Sequence, residues 1–95
     1  MSLENEALRG QMAAAVLENP VYAESYTLIE REITRLWRDS RDADEREQLH
    51  QLLRMLDKAR TVLESTMRSG KVAAKEMERK RSLAERAIGR LRSAA

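Results

Sequence analysis

The residues whose type and spacing most suggest chemistry are cations. Lys71, Lys75, Arg79, Arg86 and Arg90 follow one another at intervals of 4, 4, 7 and 4, which strings them along one face of a helix. Lys80, Arg81 and Arg92 broaden that positive surface. A row of cations at this pitch can follow a phosphate backbone or gather at an oligomer axis. Simple solvation of a helix explains the same residues: Glu76 with Lys80 is a favourable i, i+4 pair, and Arg81 with Glu85 pairs in the weaker order. No aromatic side chain interleaves the row, so bases have nothing to stack on, and contact with a nucleic acid or nucleotide would be non-specific.

Other candidates are sparser. Trp37 lies beside Arg38, Asp39, Arg41 and Asp42, where it either caps a hairpin core or anchors an interface, since aromatics and arginine concentrate binding energy. Met77, Ala84, Ile88 and Leu91 form a thin apolar seam among the cations, interrupted by Arg81, and are expected to need a partner to cover them. His50 is the lone histidine and cysteine is absent, which makes a poor metal site and leaves no thiol nucleophile or disulfide. No strand-turn-helix nucleophile elbow, Gly-rich phosphate loop or paired apolar carboxylates can be found, so neither catalysis nor a cofactor is expected.

The elements that must position these groups carry sorted charge. Residues 1 to 67 hold nine Lys/Arg against thirteen Asp/Glu, and residues 68 to 95 hold nine against three, so segments of −4 and +6 hide behind a net +2. A chain of 95 residues has room for one thin core, a range in which oligomerisation often supplies missing burial. With no Phe, one Trp and two Tyr, that core must come from Leu, Ile, Val, Met and Ala, which suits helix packing. The first ten residues lack an apolar signal-peptide region, and no apolar run reaches the ~20 residues of a membrane span.

Periodicity predicts a helix over Leu3 to Glu18, with Leu8, Met12, Ala15 and Val16 as its apolar set. Asn19-Pro20 marks a break followed by a new N-terminus, because Asn caps and Pro suits the first turn. Tyr22, Tyr26, Ile29, Ile33 and Leu36, widened by Leu28 and Trp37, define an amphipathic second helix. Asp42 and Glu45 fit a capping box after a polar turn. A heptad seam of Leu49, Leu52, Leu56, Ala59, Leu63 and Thr66, with Leu53 and Val62 alongside, then predicts a third helix from about 43 to 68. Gly70 is read as a break or hinge, with a continuing helix as the alternative. The expected architecture is all-α: residues 1–69 as an antiparallel hairpin crossed by an N-terminal helix, and residues 70–95 as a basic helical arm, together in an oligomeric bundle.

Glu18-Asn19-Pro20-Val21, Trp37, Arg41-Asp42, Arg46-Glu47, the Leu-rich seam to Leu63 and Gly70-Lys71 resemble a class of short helical proteins encoded by tailed bacteriophages and prophages. The likeness spans roughly residues 15 to 75 and leaves the basic tail unmatched. It implies the bacterial host cytoplasm or the virion as the setting, and it carries no shared activity to particular residues. The functional expectation is therefore a non-enzymatic protein that self-associates and acts by binding, in head or DNA-packaging assembly or as an inhibitor of a host factor. Its partners would be further copies of itself and a phage or host protein, with no membrane. The alternative is nucleic-acid or nucleotide binding through the basic C-terminal helix.

Overall fold

The computed structural model describes residues 2–94 and is all helical: α1 (Leu3–Glu18), α2 (Pro20–Asp39) and α3 (Ala43–Ala94). Local chemistry sets the first boundaries. The Ser2 hydroxyl accepts from the Asn5 amide, and the Asn19 side-chain oxygen accepts from the amides of Val21 (2.8 Å) and Tyr22 (3.2 Å) as Pro20 opens α2. An extended Asn19 (φ −68°, ψ 121°) separates the two helices, as expected for a residue before proline. Asn19→Ala is expected to cost about 1 kcal/mol, the usual worth of an N-cap, read as a lower urea midpoint at unchanged m-value.

The turn at residues 40–42 is built from Ser40 and Asp42. The Asp42 carboxylate accepts from the Asp44 amide (2.9 Å), and the Ser40 hydroxyl receives the Asp42 amide (3.3 Å). Ser40 thus fills the place in the capping box that Glu45 was expected to take.

Beyond that turn the chain forms one helix of 52 residues. At ~1.5 Å per residue it is about 78 Å long, close to the 81 Å of the whole molecule. The other two dimensions, 24 and 15 Å, leave room for two helices side by side. Accordingly α1 and α2 lie end to end along α3, both antiparallel to it: Leu3 and Ala7 share a groove with Met77 and Arg81, Gly10 meets Gly70, Tyr26 meets Arg60, and Trp37 meets Arg46. The N-terminal helix therefore extends the hairpin instead of crossing it.

Three expectations are corrected by this arrangement. Gly70 neither ends nor bends α3; no glycine has a positive φ, and the helix runs through position 70 unbroken. Its lack of a side chain serves packing: a Cβ on Gly70 would stand 2.5 Å from the Gly10 Cα, and one on Gly10 equally close to the Gly70 Cα. Ala13 and Ala73 are buried beside this crossing, so α1 and α3 meet through small residues that let two backbones approach. Leu8, Met12, Ala15 and Val16, which the periodicity selects as the apolar set of α1, point to solvent.

The third correction concerns the phase of the α3 seam. Leu49, Leu53, Leu56, Leu63, Thr66, Met67, Gly70, Ala73 and Met77 line the covered seam, whereas Leu52, Ala59 and Val62 are exposed. Leu49, Leu56, Leu63 and Thr66 keep the places the heptad gives them, and the inward face is shifted from Leu52 and Ala59 toward Leu53 and Met67. On α2 the covered set is Tyr22, Tyr26, Ile33 and Trp37, with Ile29 and Leu36 left open.

Tyr26 is the most buried large side chain of α2 and packs under the Arg60 guanidinium, 5.0 Å from the ring centroid. Burial, reinforced by the Asp57 and Glu30 carboxylates and opposed by Arg60, pushes its phenol above the ordinary value of 10. A raised folded-state pKa means the native chain holds this proton more tightly than the unfolded one, so its contribution is intact below about pH 10 and is lost as pH rises beyond. Tyr26→Phe is expected to flatten that alkaline loss of stability, read from urea midpoints between pH 9 and 11.

Candidate functional site

The cations picked out by sequence are brought together on the outer side of the C-terminal part of α3. Around position 73 the inward residues Gly70, Ala73 and Met77 face α1, while Lys71, Lys75, Arg79 and Lys80 are exposed. Arg81 borders the groove formed with Leu3, Glu4 and Ala7. Arg86, Arg90 and Arg92 stand farther out, on the segment of α3 that has passed the end of α1.

Part of this charge is neutralised within the helix itself. Arg79 holds Glu76 at 2.6 Å and Arg81 holds Glu78 at 2.6 Å, both as i, i+3 pairs, with Glu85 a further 3.9 Å from Arg81. Arg79 thus holds Glu76 at hydrogen-bond distance, and Lys80, the partner expected from spacing, adds a longer-range attraction. The hydrogen bond to Arg79 holds the Glu76 carboxyl below the usual carboxylate range, and those to Glu76 and Glu78 raise the Arg79 and Arg81 guanidiniums. All these groups are solvent-exposed, where such pairs add little stability. Lys71, Lys75, Lys80, Arg86, Arg90 and Arg92 have no ion-pair partner among the described residues. The surface available to an anion is therefore those six cations and the exposed Arg68 beside them, with Arg79 and Arg81 already engaged.

The apolar candidates separate into two groups. Met77 is half-covered by the start of α1. Ala84, Ile88 and Leu91 continue the same seam past Leu3, and all three are exposed because no helix of this chain lies opposite them. Residues 82–94 project roughly 20 Å beyond the hairpin at ~1.5 Å per residue. Only this outer half of the arm is free; its inner half is part of the hairpin.

Trp37 is half-buried against a side chain of its own chain. The Arg46 guanidinium sits 4.2 Å over its ring and donates to the carbonyls of Trp37 (2.7 Å) and Ser40 (3.0 Å). One arginine thus stacks on the ring and caps the C-terminus of α2, a cross-turn partnership that sequence reading missed because Arg46 lies nine residues on. His50 is exposed on α3, and among the described residues no three His, Asp or Glu side chains are grouped to hold a metal ion. No helix of the described residues is long and apolar enough to cross a membrane.

Comparison with protein-family models, curated proteins and solved structures finds no match for this chain.

Proposed function

We propose that this is a non-enzymatic helical protein that works by association, first with further copies of itself. One quantity carries the reading. A compact monomer of this mass is expected to expose about 5,600 Å², and this chain exposes 7781 Å². The excess of roughly 2,200 Å² is well above the ~800 Å² that each partner contributes to a standard interface. Much of it is apolar: α1 offers Leu8, Met12 and Val16, α2 offers Val21, Leu28 and Ile29, and α3 offers Leu52, Met55 and Val62. A hairpin two helices thick has one seam, and the remaining faces are those that a bundle of four would bury.

Sedimentation velocity or light scattering at micromolar concentration tests this. The expected mass is a multiple of 10.9 kDa; a stable, fully helical monomer would remove the reading. In the setting implied by the phage resemblance, such a rod would serve head or DNA-packaging assembly, or occupy a host factor, with the free end of α3 as its outward contact.

The seven cations of residues 68–94 outside those ion pairs support a second reading, non-specific binding of a polyanion such as duplex DNA. Counterion release predicts that log affinity falls with log salt at a slope of about −0.9 per phosphate contacted. Charge reversal at Lys75 and Arg86 is expected to flatten the slope and weaken binding; affinity indifferent to salt and to both reversals would exclude it.

A further inference from the structure

The excess surface raises the question of which face a second copy covers. We propose that two chains pair about a two-fold axis crossing α3 near Asp57, through the ridge Leu52, Met55, Ala59 and Val62, with their α3 helices antiparallel. This rests on the self-association reading and adds a face, a partner and a direction to it.

The ridge borders the internal seam. Leu49, Leu53, Leu56 and Leu63 are covered by α2 and α1, and one step around the helix Leu52, Met55 and Val62 are 53%, 65% and 55% exposed. No charged residue stands in the ridge. On α2 the corresponding flank holds Ile29 and Leu36, also substantially exposed. In an antiparallel helix pair the same heptad flank of each helix falls on one side, so these two rows adjoin and make an apolar face two helices wide. A contiguous apolar face two helices wide is the kind of surface that marks an interaction site.

Three features select a second copy as the occupant. The spacing of the ridge, 3, 4 and 3, reads the same in both directions, as a self-complementary two-fold contact requires. Reversal about its centre sets Leu52 against the partner's Val62 and Met55 against the partner's Ala59, so long side chains meet short ones in every layer. Charge then fixes the direction. Parallel pairing would lay two +6 segments against each other, whereas antiparallel pairing sets Arg68 and Lys71 level with the partner's turn, where Asp42, Asp44, Glu45 and Glu47 outnumber Arg41 and Arg46, and carries the later cations past it. The other open rows lack the width of this face: Leu8, Met12 and Val16 lie on a single helix, and Ile88 and Leu91 lie where no second helix of the chain widens the face.

The test uses the full chain. Met55→Glu combined with Val62→Glu places two carboxylates in the proposed contact and is expected to weaken dimerisation about 100-fold or more, giving monomers at concentrations where the parent is dimeric. Both positions are exposed, so helical ellipticity should be retained. Leu8→Glu with Met12→Glu, and separately Ile88→Asp with Leu91→Asp, are expected to leave the dimer intact. For direction, Gln51→Cys mixed with Ser65→Cys is expected to form a cross-linked heterodimer under mild oxidation, while neither variant cross-links with itself. A parent chain that is monomeric would defeat the self-association reading altogether. A parent dimer that survives the ridge carboxylates, or that cross-links only like with like, would overturn the ridge pairing and leave self-association standing.

Discussion

Gly70→Ala is expected to destabilise the protein, although alanine is the better helix former by about 1 kcal/mol. The new Cβ would meet the Gly10 Cα at 2.5 Å, and the obstacle is backbone, with no rotamer to turn aside. The helices must separate, and α1 then loses contact along Ala13, Ala73 and Met77 as well. Overpacking of a close contact typically costs about 1–3 kcal/mol, and rigid backbone on both sides puts this site at the upper end, so the steric term wins. Gly70→Val should go further and release α1 from α3. A detached helix of 16 residues is marginal in water, so ellipticity at 222 nm is expected to fall along with stability. Gly10→Ala should behave alike, and the pair should be less than additive, since the second methyl enters a gap the first has opened. Gly89 is the internal control: a Cβ there meets nothing within 4 Å, so Gly89→Ala is expected to stabilise by up to about 1 kcal/mol. Urea titrations of the three single variants decide the signs; a stabilised Gly70→Ala would mean that the crossing is looser than described.

Arg46→Ala is the second substitution with a large expected effect. It removes a stacked cation from Trp37 and leaves the Trp37 and Ser40 carbonyls without their shared donor. Hydrogen bonds from a charged donor contribute about 1.5–3 kcal/mol and a cation over an indole about 0.5–2 kcal/mol; these overlap in one side chain, so a loss of about 2–3 kcal/mol is expected. Arg46→Lys should recover only part, because an ammonium cannot lie flat on the ring while reaching both carbonyls. Trp37 is the only tryptophan, so its fluorescence reports directly on the turn. A shift of emission toward that of a solvated indole, together with a lower urea midpoint, is the expected result; unchanged emission and stability would show that the stack is incidental.

What could be read from sequence was what local chemistry decides. Asn19-Pro20 announces a cap and a first turn because both act within three residues, and Asp42 does the same for α3. The phase of α3 was harder, since Leu52 and Leu53 are equally apolar; which of them faces inward depends on where α2 lies. Gly70 was misread for a related reason. Its propensity argues for a break, while the residue that requires a glycine there, Gly10, is 60 positions away. The face of α1 was inverted because hydrophobicity favours Leu8, Met12 and Val16, yet close approach selects Gly10 and Ala13. Of the site residues, the exposed row of cations followed from spacing alone. Their division into paired and unpaired members depended on rotamers, and the split of the arm at the end of α1 depended on where a separate helix begins.

Because α3 is one uninterrupted helix, the separation between the hairpin turn and Ile88 is set by residue count: about 45 residues at ~1.5 Å each, or roughly 68 Å. A stiff strut of this kind gives any two bodies held at its ends a constant gauge. Lengthening it by seven residues between Arg86 and Arg90 would move the tip outward by about 10 Å with the seam kept in phase, whereas adding five would swing the tip partway around the axis.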